Sequence, residues 1–223
     1  MTLAELEQRL PRPARPIDAK STSGWDEAEQ LIGHELPRDY KAFVDTYGSG
    51  SVDGFLSVLS PFASEPEGQL GRQTLGLLGK LCPLGMPVYK QLPSGAWVVD
   101  DEGAQAGLPS WDKQWLPWAV LTDGGAMFWW TTGAPDTWEV VHVLPSPPGV
   151  RPAIESYRES MTDLLLALLT GRVKLPGAPP GFPGAPARYL PIAPKRVKAA
   201  PMTVPPVNED LVKIVKLKRP RSS

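Results

Sequence analysis

The sequence predicts an α+β protein: an antiparallel sheet with helices before and after it in the chain, followed by a basic, proline-rich C-terminal tail. Three observations carry this expectation. Aromatic and β-branched runs broken by turn residues fill residues 118–143, the pattern of an antiparallel meander. Apolar stripes at helical spacing lie on either side of that region. Charge and proline are divided along the chain. Residues 1–171 carry 12 Lys+Arg and 22 Asp+Glu, whereas residues 172–223 carry 11 and 2. Eleven of the 27 prolines fall in residues 174–223, so the net charge of −1 hides an acidic body and a basic tail.

The elements follow in order. Residues 1–19 read as an N-terminal extension, helix-prone around Leu3 and Leu10 and then broken by Pro11, Pro13 and Pro16. The body spans 20–173. Ser23-Gly24-Trp25-Asp26 has the form of a capping box. It opens a helix over about 24–32 with Trp25, Ala28, Leu31 and Ile32 on one face. Pro37 suits the first position of a second helix, whose missing N–H is no loss there. Tyr40, Phe43, Val44 and Tyr47 then form one stripe, and Gly48 ends it. Asp53–Leu59 reads as a turn and a strand. Residues 67–82 read as a helix weakened by Gly71, Gly76 and Gly79.

A strand is expected at Ala96–Val99. The meander follows as strands Trp118–Leu121, Ala126–Trp130 and Trp138–Val143, joined by turns at Thr122–Gly125 and Gly133–Asp136. Ser160-Met161-Thr162-Asp163 is a second capping box, ahead of Leu164, Leu165, Leu168 and Leu169 and a stop at Gly171. From 174 the run Leu175–Pro186 reads as extended polyproline-like linker. Asp210–Lys218 interleaves apolar residues with lysines, and over so short a run periodicity does not decide between a helix and a strand added to a partner.

Little in the sequence points to catalysis. Cys82 is the one cysteine, so no internal disulfide or multi-cysteine metal site can form. It reads as a small buried residue. A nucleophile needs a neighbouring base, and the two imidazoles, His34 and His142, read as structural or surface groups. Gly48–Gly54 lacks phosphate-loop spacing. Asp100-Asp101-Glu102 could offer oxygens to a cation but reads as a solvated acidic loop. We therefore expect no enzyme and no cofactor. The N-terminus has no apolar stretch of signal-peptide type. The longest apolar run, Leu164–Leu169, is far too short to span a membrane. A cytoplasmic protein is expected.

Tryptophan is the unusual residue. Seven of the eight lie between positions 97 and 138. Trp129 and Trp130 are adjacent in a strand and point to opposite faces. Most of the seven read as core. Exposed members, with Trp111, Trp115 and Trp130 the candidates, would anchor a partner.

Across residues 20–172 an ordered set of motifs resembles the SUKH superfamily, bacterial relatives of a yeast cell-wall-assembly regulator. Its carriers are Trp25, Glu29 and Gly33; Leu36-Pro37-Arg38-Asp39-Tyr40-Lys41-Ala42-Phe43; Tyr47-Gly48-Ser49-Gly50; and Asp53-Gly54-Phe55-Leu56. They continue with Leu116-Pro117-Trp118, Thr122-Asp123-Gly124, Phe128-Trp129-Trp130, Pro135-Asp136-Thr137-Trp138 and the helix Met161–Gly171. The resemblance implies a curved antiparallel sheet flanked by helices and no catalytic residues. It makes Trp25, Leu36, Pro37, Tyr40, Phe43, Tyr47, Gly48, Trp118, Gly124, Trp129 and Trp138 structural. It also implies an immunity protein, which binds and neutralises a polymorphic toxin of nuclease or deaminase type.

The acidity of the body fits that implication, because a nuclease must attract phosphate and complementary charge speeds encounter. The expected contact residues are the acidic turns, Asp53, Asp100, Asp101, Glu102, Asp123 and Asp136, with Trp111, Trp115 and Trp130. Asp123 and Asp136 also suit turns on their own account. The alternative is a scaffold or adaptor that offers the tail as a polyproline ligand or added strand. Nucleic acid would be met only through Lys195-Arg196-x-Lys198 and Lys216-x-Lys218-Arg219-x-Arg221, non-specifically and with strong salt dependence.

Overall fold

The structure, a computed structural model, describes residues 3–19, 24–65, 68–70, 77, 81, 89–91, 97–99, 115–147, 150 and 152–192. It is α+β. Seven strands form one open antiparallel sheet in the order β8-β7-β6-β5-β2-β1-β9. These are β1 (Gly50–Val52), β2 (Leu56–Val58), β5 (Trp115–Leu121), β6 (Ala126–Trp130), β7 (Glu139–Val143), β8 (Ile154–Tyr157) and β9 (Tyr189–Pro191). β3 (Tyr89–Gln91) and β4 (Trp97–Val99) pair separately. The helices are α1 (Leu3–Arg9), α2 (Trp25–Ile32), α3 (Arg38–Tyr47) and α4 (Met161–Leu169).

The expected meander is present as β5-β6-β7, and β8 extends it. Pro117 sits beside a break in register between Pro117 and Ala119. A bulge tolerates proline where a regular ladder would not. It also adds Trp118 as an extra residue on the face that carries Leu116 and Ala119. Trp118, Met127, Trp129 and Val140 pack there with the helices in one core. Trp115, Phe128, Val141 and Val143 form a second cluster with Leu81. Trp129 and Trp130 do point to opposite faces: Trp129 is buried in the main core, and Trp130 packs against the second cluster.

The α3 stripe lies wholly inside, with Tyr40, Phe43, Val44 and Tyr47 all buried. Tyr40 meets Trp129 edge-on at 4.8 Å between ring centroids. Gly48 ends the helix at φ 66°, its N–H donating to the Val44 carbonyl. A Cβ there would stand 2.0 Å from the Ile17 carbonyl oxygen, so the position admits only glycine.

Several expectations change. The helix starts shift by a residue: Gly24 is the cap of α2, with Ser23 outside the described residues, and Pro37 is the cap of α3 rather than its first turn. Ser160 does cap α4, accepting from the Asp163 N–H. The helix expected over 67–82 and Cys82 lie largely or wholly outside the described residues. Residues 3–19 pack on the body. Leu6 and Leu10 are buried in the main core, and the Tyr47 hydroxyl donates to the Leu10 carbonyl at 2.6 Å.

The largest change concerns residues 174–192, expected as linker. They strap back onto the body and end in β9, which pairs with β1. Leu175, Ala187 and Tyr189 are buried. Phe182 meets Phe55 at 4.7 Å. Tyr189 donates to the Gly48 carbonyl at 2.8 Å, with its ring against Gly50, where a Cβ would approach it to 2.3 Å. Proline-rich chain needs no internal hydrogen bonds. Single apolar residues set between the prolines are enough to dock it. The body therefore extends to Ile192, and the segment that follows carries eight basic and two acidic residues.

Candidate partner-binding surface

The described acidic turns are engaged within the fold. Asp53 takes φ 49° at the β1–β2 turn. Its carboxylate accepts from the backbone N–H groups of Gly184 and Arg188, both at 2.9 Å, so it clamps the strap. Asp123 closes the β5–β6 turn, accepting from the Gly125 N–H at 2.8 Å, and Gly124 supplies the left-handed φ of 96°. Asp136, in the 3-10 turn Pro135–Thr137, accepts from the Arg38 N–H at 2.8 Å and pairs with the Arg38 guanidinium. It thus caps α3 from 98 residues away, and this contact holds its carboxyl below the usual range. Asp100, Asp101, Glu102 and Trp111 lie outside the described residues.

The tryptophans divide in the same way. Trp115 is buried and stacked parallel to Trp130 at 6.1 Å. Trp130 is half-buried and remains the one aromatic of the three with described surface. Trp25, Trp118, Trp129 and Trp138 are all buried, as are Leu36 and Pro37. Trp25 also donates to Asp45 at 3.1 Å.

Two grooves lie on the described part of the body. One lies where the N-termini of α3 and α4 meet, lined by Arg38, Asp39, Asp136 and Thr162 among others. Helix N-termini attract anions, but carboxylates of the chain itself already fill these. Asp39 accepts from both the N–H and the hydroxyl of Thr162. A second groove runs between the C-terminal end of α4 and the strap, with Lys174 its one charged lining residue. Among the described residues no group of three or more His, Cys, Asp or Glu could hold a metal ion. None of their helices is long and apolar enough to cross a membrane.

His142 sits fully buried in β7, with neither ring nitrogen hydrogen-bonded. Burial pushes it below its ordinary value, against a weaker opposing pull from Asp123 and Glu155. The folded state therefore favours neutral imidazole. The unfolded chain takes up a proton first, near pH 6.5. The stability this group supplies is full above that pH and declines as the pH falls toward the folded value. The urea midpoint should drop between pH 7 and pH 5. His142→Met, an apolar group in place of the ring, should flatten that limb. An equally steep limb in the variant would place the proton uptake elsewhere, with His34, half-buried and shifted the same way, the first alternative.

The feature that the sequence reading missed is on α2. Leu31 was expected on the inner face with Trp25, Ala28 and Ile32, yet it is 88% exposed. At about 100° per residue, six residues carry Leu31 about 120° away from Trp25, off the buried face. In an eight-residue helix the apolar count hid that angle. Glu27 and Glu35 stand four residues to either side of Leu31 in sequence and are exposed, as are Asp26 and Gln30 elsewhere on the helix. Asp26, Glu27 and Glu35 make no ion pair among the described residues. By contrast Glu29, on the inner side, binds Lys41 at 2.8 Å and the Leu36 N–H. His34 packs edge-on against Trp138 at 5.8 Å, which joins the α2 end to the Gly133–Trp138 turn.

Comparison of the chain with protein-family models, with curated proteins and with solved structures finds no match.

Proposed function

We propose that the chain is a non-enzymatic protein-binding domain, an immunity protein of SUKH type that neutralises a basic toxin domain encoded beside it. The toxin would be a nuclease or deaminase, met in the cytoplasm without a cofactor. The observation that carries this reading is the outward face of α2: one leucine exposed among carboxylates left without ion pairs. An apolar anchor inside an acidic rim fits a partner with an apolar recess and a basic rim. The overall charge supports it, since residues 1–192 carry 15 basic and 22 acidic residues. Trp25, Leu36, Tyr40, Phe43, Tyr47, Trp118, Trp129 and Trp138, among the residues that carry the SUKH resemblance, are buried, as that reading expects of structural positions.

The adaptor reading has less support. It offers the tail of residues 174–223 as a polyproline ligand or its last residues as an added strand, and of that tail residues 174–192 are folded onto the body.

The test is co-expression with the toxin encoded next to this gene. The wild-type chain should restore growth and be retained with the toxin in a pull-down. Leu31→Asp should lose at least about tenfold in affinity, a hot-spot-sized effect, with no change in thermal midpoint. No rescue and no retained toxin would overturn the proposal.

A further inference from the structure

The basic segment after Ile192 plays no part in the reading above. We propose that its last part, Leu211–Arg221, docks on the outward face of α2 in the same molecule and covers Leu31 until a partner displaces it. Charge and length carry the assignment. The face offers Glu27, one turn before an exposed leucine, and Glu35 stands four residues after it in sequence, just past the helix end. The segment offers Lys213, Lys216, Lys218, Arg219 and Arg221, interleaved with Leu211, Ile214 and Leu217. Each side thus supplies both halves of a mixed apolar and ionic contact, with opposite sign.

The described acidic turns make poorer targets, because Asp53, Asp123 and Asp136 already accept hydrogen bonds from the fold. The 18 residues between Ile192 and Leu211 reach about 60 Å when extended. A body of this size is only about 40 Å across, so the tether does not limit docking. A segment held beside its site also enjoys a high effective concentration, which lets a weak contact persist. Docking in this way rests on the α2 face alone. Only its competition with a toxin rests on the proposed function.

Zero-length carboxyl–amine cross-linking of the full chain at low protein concentration tests it, with peptides read by mass spectrometry. In about 20 mM salt, Lys213, Lys216 or Lys218 should join Glu27 or Glu35 within the monomer. In about 0.5 M salt, where screening acts over only a few ångströms, the yield should fall at least about tenfold. Leu31→Ser should lower it several-fold at low salt. Glu27→Lys with Glu35→Lys should abolish it. Adding Lys213→Glu and Lys216→Glu to that pair should restore cross-links with the charges exchanged. Links spread evenly over carboxylates elsewhere, or found only between molecules, would overturn the proposal. The growth assay scores the toxin reading independently, so either can fail alone.

Discussion

Trp129→Ala should cost about 3–5 kcal/mol, the range for emptying a fully buried aromatic site. Trp129 is 1% exposed and lies against Tyr40, Trp118 and Trp138, at centroid distances of 4.8, 6.2 and 6.1 Å. Three rings from α3, β5 and the 3-10 turn would face the cavity, and each is held by its own neighbours, so collapse is limited. A domain of total stability of about 5–15 kcal/mol would then unfold in little denaturant. Trp130→Ala, one residue on, removes a ring that is half-buried and stacked on Trp115. It should cost about half as much or less. Urea titration of both variants reads the difference. Equal losses would contradict the sidedness of β6.

The second large effect concerns where the chain stops. A stop after Val173 removes Leu175, Phe182, Ala187 and Tyr189 from the core, along with β9. It leaves Asp53 without the two N–H groups it binds, and uncovers Phe43 and Tyr47, which Tyr189 touches at 5.7 and 5.1 Å. Losing that one aromatic is worth about 3–5 kcal/mol, and the strand pairing adds to it. The shortened chain should be largely unfolded by circular dichroism. A stop after Ile192 keeps every strap contact described above, and should keep stability within about 1 kcal/mol of the full chain. If the shorter chain folds with a sharp transition, the strap is dispensable.

These two cases show what was legible and what was not. The α3 stripe and β6 could be read directly, because each buries a complete face whose period is written in consecutive residues. β8, Ile-Glu-Ser-Tyr, went unseen, since a short edge strand carries no apolar alternation. The strap went unseen for a different reason. Its proline content described the local backbone correctly, but its destination depends on Tyr47 and Asp53, more than 130 residues away. Asp123 and Asp136 were recognisable as turn formers. That Asp136 caps a distant helix needs the fold itself. Leu31 was misplaced because an eight-residue helix offers too few turns for apolar content to reveal its angle.

Tyr47 receives both ends of the body: its hydroxyl bonds Leu10, and its ring meets Tyr189. The second of these contacts closes a loop of about 140 residues, whose entropy cost grows only with the logarithm of its length. Contacts of such sequence separation nevertheless form slowly. During synthesis the helices and the meander are complete well before Tyr189 has been added to the chain. Until then the ring of Tyr47 and the outer side of β1 stand uncovered. The newborn protein therefore passes through an interval in which its sheet has an unguarded edge, and the strap ends that interval with a strand whose last residue, Pro191, has no N–H to offer a neighbour.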